Sequence, residues 1–331
     1  MILIITIIYF GLEGSMKKGL LICCATFVLS LTACNVGAGG SGQGANQQPA
    51  LIQIEDFANR KIAFDQVPHN IVALSNGETD IIYALGGELV GRPTSTTPLA
   101  TKAAEQVEQI GSAHEVDLEK ITLLRADVVL GNNPMNTKDV PILEGVGTKV
   151  ILTSANSVNE IEKQIELFGQ LLQKEERASE LVQEIEKKLK EYDTEPGGTK
   201  PRALLVYGAP GTYMAALPNS LSGNILELAG GTNIASDYPS LQSYPQYAQL
   251  NSERIVEANP QLILIMTHGN PDEVKKGFLK EMQTNPAWSS LEAVKQNKVE
   301  VLPSDLFGSN PGTRIMESLD YLHEKLEGLK Q

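Results

Sequence analysis

The chain has 331 residues, a net charge of −13 and a 42% share of hydrophobic side chains, enough for more than one core. So large an acidic surplus argues against a nucleic-acid partner, because phosphate contacts need clustered Lys and Arg. With only three cysteines, two of them adjacent at Cys23 and Cys24, neither a disulfide framework nor a cysteine metal site is expected.

The first segment is a targeting sequence. From Met16, which we expect to be the true start, the chain reads MKKGLLICCATFVLSLTAC: two lysines, an apolar run of about a dozen residues, then small residues. The run is short of the roughly 20 residues that a membrane span needs. Its end, Leu31-Thr32-Ala33-Cys34, looks like a bacterial lipobox. Residues 1–33 are therefore predicted to be a signal peptide, cleaved so that Cys34 becomes the lipidated N-terminus. Loss of Glu13, Lys17 and Lys18 with it takes the net charge to −14. Residues 34–50 are rich in Gly, Gln and Asn, the composition of a flexible tether.

Beyond the tether, strand-like and helix-like stretches alternate, as in layered α/β folds with parallel sheet. The strand candidates are 70–75, 88–91, 127–131 and 149–153, then 202–208, 261–266 and 298–303. Between the two groups, Ser157 and Glu160 have capping-box spacing. Ile161, Ile165, Phe168 and Leu172 then mark one helical face. A second helix carries Ala178, Leu181, Val182, Ile185, Leu189 and Tyr192 at steps of three and four. At roughly 18 residues it would span about 27 Å, enough for a stiff strut between two domains. The expected organisation is an N-terminal lobe over 51–173, an interlobe helix over 174–194 and a C-terminal lobe over 195–331. An internal repeat supports matching lobes: DLEKITLLRADVVL (117–130) and NSERIVEANPQLIL (251–264) align without a gap. The fold class follows: α/β, two Rossmann-like lobes bridged by a single long helix, with a ligand cleft between them.

No G-x-S-x-G elbow, H-E-x-x-H or P-loop is present, and no serine or acid is spaced to pair a nucleophile with a base. The reading is therefore a binding protein, not an enzyme. Of the four histidines, His69 precedes the first strand and reads as a solvated edge residue. His323 lies near the end of the last helix, where an imidazole suits the C-terminus. His114, in IGSAHEVD, and His268, in IMTHGNP, fall on loops at the carboxyl ends of strands, where open α/β sheets place ligands. Each could be a turn residue. Facing each other across a cleft, the two imidazoles would also satisfy a six-coordinate heme iron.

Over essentially the whole mature body the chain resembles the substrate-binding lipoproteins of iron-complex and cobalamin ABC importers. NIVALSNGETDIIYALGGELVGRPTST, DLEKI, RADVV, ILELAGGTNI and NSERI carry that resemblance. GAPGTYMAAL (208–217) and HGNPDEVKKGF (268–278) are most similar to the heme receptors of Gram-positive surface uptake systems. The resemblance implies that His268 is an axial heme ligand. The other ligand in that pattern is a methionine in the loop before LEKI; here the position is His114, which implies bis-histidine ligation. Met135 and Met266 are the substitutes if His114 points away. The resemblance also implies that Glu119 and Glu253 dock onto arginines of a membrane permease, although both acids equally suit a helix N-terminus. Arg92, Arg314 and Tyr213 are the candidate donors to the heme propionates, and Tyr244 and Tyr247 could stack on the porphyrin.

The expected function is a monomeric receptor, lipid-anchored at the outer face of the cytoplasmic membrane. It would take heme, free or from a surface donor, to an ABC permease and its ATPase. The alternative within the class is a ferric-siderophore or cobalamin receptor, whose cleft would be richer in Arg and Trp. A metal-ion receptor would need more ligands than two histidines. A heme-modifying enzyme would need an open axial position.

Overall fold

A short hairpin comes first: β1 (Ile52–Glu55) pairs antiparallel with β2 (Lys61–Phe64) and buries Ile52, Ile54 and Phe64. The structure is a computed structural model, and it describes residues 51–330 apart from 96–98, 113, 194–198, 210–211, 268–269 and 285. The predicted leader and tether, Cys34 and His268 thus lie outside the described residues. All the described residues belong to one unit, Gln47–Gln331.

The first sheet has five parallel strands. They are β3 (Ile71–Ala73), β4 (Gly91–Arg92), β5 (Glu108–Gln109), β6 (Val128–Asn132) and β7 (Lys149–Thr153), in the order β5-β4-β3-β6-β7. Helix α1 (Asn76–Ala84) starts at a full capping box between Ser75 and Glu78. Helix α2 (Leu118–Leu123) crosses from β5 to β6, and α3 (Val140–Gly145) from β6 to β7. The strand expected at 88–91 begins only at Gly91, because the preceding Gly86-Gly87 turn takes up the residues before it.

Two helices then link the halves. Helix α4 (Val158–Leu172) is capped by Ser157, and Ile161, Ile165 and Phe168 on its predicted face are fully buried. Each such side chain contributes about 1.5–3 kcal/mol by leaving water. Gln173, in the left-handed region at φ 53°, turns the chain into α5 (Glu175–Asp193). The two helices touch where Gly169 meets Ala178: a Cβ added at Gly169 would lie 2.5 Å from that of Ala178.

The second sheet contains β8 (Arg202–Ala209), β9 (Thr212–Ala216), β10 (Thr232–Asn233), β11 (Tyr247–Gln249), β12 (Leu262–Met266) and β13 (Val299–Val301). Its path is β11-β9-β8-β12-β13, with β10 beside the start of β8. β8, β12 and β13 are parallel, whereas β9 and β11 add an antiparallel edge. Its helices are α6 (Leu221–Leu228), α7 (Ser252–Ala258), α8 (Pro271–Thr284), α9 (Glu292–Lys295), α10 (Ser304–Phe307) and α11 (Ile315–Glu327).

Strand alternation divides the apolar residues into layers. Val72, Val129 and Val150 pack outward in the first lobe, as Leu204, Val206, Ile263 and Ile265 do in the second. Their neighbours, Ile71, Val128 and Ile151 with Leu205, Leu262 and Leu264, join α4, α5, α6 and α11 in one continuous cluster. The lobes therefore share an apolar layer, and α4 doubles the strut made by α5.

The sequence repeat is a structural one. Asp117 and Asn251 each accept the amide three residues on at 3.0 Å, so both cap their helices. Ile121 and Ile255 are fully buried at matching positions. Arg125 and Asn259, four residues later, both turn the chain at positive φ, 49° and 42°. Five-residue strands, β6 and β12, follow in each case.

Candidate functional site

The carboxyl ends of both sheets border one cavity of about 670 Å³. That lies within the roughly 300–1,000 Å³ of small-molecule sites. From the first lobe come the loop after β6 and Ala155-Asn156 after β7. Asn136, fully buried, shapes the former loop: its Oδ1 accepts from the Asn132 amide at 2.9 Å and its Nδ2 donates to Asp139 at 3.0 Å. Met135 is left on the cavity side, 37% exposed.

The second lobe supplies Tyr207 on β8, Met266 and Thr267 at the end of β12, and the first turn of α6. The 243–247 and 307–310 loops complete it. Tyr207 and Tyr247 contact at 5.3 Å between ring centroids. Burial pushes both phenol pKa values up, so the hydroxyls stay neutral. No residue lining this cavity, among those described, carries a charge. Its chemistry is that of aromatic faces, thioethers, hydroxyls and amides, to which the amide end of α6 adds a dipole.

Met135, Met266, Tyr244 and Tyr247 are brought together here. His114 is not among the lining residues. It is exposed on the loop between β5 and α2, and its carbonyl accepts from Lys138 Nζ at 3.5 Å, which sets it beside the turn that follows Met135. For His268 the described residues give only the flanks. Thr267 lines the cavity, and Asn270 caps α8 through the Asp272 and Glu273 amides at 3.0 and 3.3 Å.

Three expected donors are engaged elsewhere. Arg92 is buried and gives its guanidinium to the carbonyls of Ala104, Pro93 and Glu105 at 2.6, 2.9 and 3.3 Å, which ties down the 102–106 turn. Arg314 is held by Asp305 at 2.9 Å and Glu317 at 3.0 Å. Tyr213 sits on the opposite face of its sheet from Tyr207, one strand position out of phase. Its ring lies against Phe278 at 5.0 Å and its hydroxyl donates to the Val274 carbonyl at 3.4 Å. None of the three lines the cavity.

The remaining histidines have local roles. His69 is exposed and its amide donates to Asp127 at 2.9 Å. His323 stacks on Tyr192 at 4.2 Å and meets the Ala229 carbonyl at 3.1 Å through Nδ1. Glu119 and Glu253 are exposed at the second positions of α2 and α7, and neither forms a hydrogen bond or ion pair with any described residue.

Residues that sequence reasoning missed include Tyr207, Ser220, Ser222 and Asn310. Tyr207 was within reach, since alternation along β8 puts it on the same face as the buried Leu205. Asn310 was not, because its place depends on how the last loop folds back over α1.

A family model described as periplasmic binding protein matches residues 71–306. The chain is 28% identical over 238 residues to the high-affinity heme uptake system protein IsdE of Staphylococcus aureus (strain Newman), spanning 71% of this chain and 80% of that protein. The crystal structure of S. aureus IsdE complexed with heme superposes with a TM-score of 0.69 at 26% identity, over 78% of this chain and 98% of that one. An ABC transporter substrate-binding protein from Listeria monocytogenes EGD-e superposes with a TM-score of 0.69 at 30% identity, over 80% of this chain and 100% of that one.

Proposed function

Because the chain belongs to the periplasmic binding protein family, we propose that its interlobe cavity captures heme outside the cell and presents it to an ABC permease for import. Members of this family bind and deliver a substrate and make no bond in it, and this chain is the substrate-binding protein of an ABC importer. Heme as the cargo rests on one observation above the others. The cavity is uncharged and bears aromatic rings and two methionines, a lining suited to a flat apolar macrocycle. Similarity to IsdE supports the same reading. The runner-up, a ferric-siderophore or cobalamin receptor, calls for Arg and Trp in the wall, and the described wall holds neither.

In this reading His268 ligates the iron from the second lobe and His114 from the first. The place of Met135 in the wall makes it the second candidate for the first-lobe ligand, and Met266 is the substitute from the other side. A propionate is best received at the first turn of α6, where free amides and Ser222 meet the cavity. Glu119 and Glu253 dock the loaded receptor onto permease arginines, and a lipid on Cys34 holds it at the outer face of the membrane. Work is done by ligation and docking alone.

The test is a titration of the protein with hemin, followed by visible absorption. Saturable binding of one hemin with a six-coordinate, low-spin spectrum supports heme capture. Absence of saturable binding would move siderophores and cobalamin to the front.

A further inference from the structure

Each exposed docking acid is followed directly by a cation, and in both lobes that cation is held by another acid. Lys120 Nζ donates to Glu108 Oε1 at 2.7 Å and to the Gln109 carbonyl at 2.8 Å. Arg254 pairs with Asp237 and donates to its carbonyl at 3.4 Å, with its guanidinium over the Tyr238 ring at 4.6 Å. All four side chains are well exposed, between 38% and 70%. Exposed pairs of this kind add little to stability, so stability does not account for their recurrence.

The pairs also set the charge around the neighbouring glutamates. Glu119 with Lys120 alone would be locally neutral, and so would Glu253 with Arg254. The additional acid adds one negative charge to each cluster, joining Asp117 in the first lobe, and draws the cation aside. We infer that Glu108 and Asp237 are positioning residues: each sequesters the cation beside a docking glutamate, so that Glu119 and Glu253 stand unpaired toward a guanidinium-bearing partner surface. This rests on the docking role proposed above and extends it to two residues outside the repeated segment. Asp237 lies 17 residues before its cation and Glu108 12 before its own, so the device is built from a strand in one lobe and a turn in the other.

A hexa-arginine peptide is the probe, added at low salt to the full chain in detergent micelles. Shifts of isotope-labelled glutamate carboxyl carbons report binding at Glu119 and Glu253. In the wild type both carboxyls should shift saturably. Glu108→Gln/Asp237→Asn should need roughly fivefold more peptide for the same shift, as expected for rim charges. Adding Lys120→Met/Arg254→Met should restore the wild-type response. Glu175→Gln/Glu176→Gln, which removes the same amount of charge from the start of α5, should leave it unchanged. Equal titrations for the wild type and Glu108→Gln/Asp237→Asn, or no restoration on removing the cations, would overturn the inference and leave docking intact. No saturable shift at either glutamate in the wild type would overturn the docking reading itself.

Discussion

Gln164 and Asn310 join the two lobes: Asn310 Nδ2 donates to Gln164 Oε1 at 2.8 Å, and Gln164 Nε2 donates onward to Thr153 Oγ1 at 2.6 Å. Thr153 in turn donates to the buried carboxylate of Glu78 at 3.2 Å. Asn310 also lines the cavity, so this chain of bonds ties its floor to the strut and to the end of β7. Gln164→Leu keeps the volume but leaves Asn310 Nδ2 without its acceptor and takes from Thr153 Oγ1 the bond it accepts, although Thr153 still donates to Glu78. An unsatisfied buried polar group costs about 1–3 kcal/mol. Urea unfolding should show a loss of about 2 kcal/mol or more, and hemin affinity should fall with it. A loss of stability with unchanged affinity would mean that the floor does not depend on this link.

The strut offers a test away from the ligand. Gly169 brings α4 against α5, and the methyl of Gly169→Ala would have to push Ala178 aside. Overpacking of this kind costs about 1–3 kcal/mol. The expected outcome is a lower urea midpoint with hemin affinity unchanged, because Gly169 does not border the cavity.

Two buried acids set a pH dependence. Burial raises the pKa of Glu78, against the opposing hydrogen bonds from Ser75, Thr153 and Leu74. Burial likewise raises that of Asp80, which accepts from the Thr313 amide and hydroxyl at 2.6 and 2.7 Å. Both groups bind a proton more tightly folded than unfolded. Their contribution to stability is therefore greatest below the unfolded carboxylate pKa of about 4 and declines as pH rises through the raised folded values. Glu78→Gln/Asp80→Asn removes that decline. Urea midpoints from about pH 4 to about pH 7 should move in favour of the variant relative to the wild type as pH rises. A constant difference would show that neither group titrates in this range.

Docking separates transport from binding. Glu119→Gln/Glu253→Gln changes two exposed side chains with no partners among the described residues, so hemin affinity and stability should hold. Heme-dependent uptake by cells carrying this variant should drop at least about tenfold, in line with the loss of charge pairs at an interface. Uptake at the wild-type rate would return both acids to the plain role of complementing helix N-termini.

Much of the frame was legible because it is written in local patterns. The strand at 149–153 was read to the residue, since the apolar run Val150-Ile151-Leu152, flanked by Lys149 and Thr153, is bounded by Gly147-Thr148 on one side and Ser154 on the other. The repeat put Asp117 and Asn251 in register, and both are caps, because capping is a short-range hydrogen bond that a local pattern carries. The antiparallel edge of the second sheet was missed: β11 is three residues in a Tyr- and Gln-rich loop and is a strand only because β9 lies beside it. Arg92 and Arg314 are engaged away from the cavity for a related reason. An arginine on a loop looks free in sequence, and the carbonyls of 93, 104 and 105 that hold Arg92 gather only when the 102–106 turn folds over it. Tyr213 was a matter of phase, since its strand was not foreseen and its face could not be.

The axial ligands decide how the cavity holds its cargo. His268→Ala is expected to convert the low-spin, six-coordinate hemin complex to a five-coordinate, high-spin one, and His114→Ala to do the same, while Met135→Ala leaves the spectrum unchanged. His114 lies on an exposed loop beside Lys138 and outside the cavity wall, so ligation by it would require that loop to move. Met135 needs no such movement, since it already borders the cavity. If the methionine variant loses the low-spin spectrum and His114→Ala keeps it, the first-lobe ligand is Met135. The reduction potential separates the same two cases independently, because a methionine ligand raises it relative to bis-histidine ligation. A potentiometric titration of the wild-type complex beside Met135→Ala would then show a clear drop only in the methionine-ligated case.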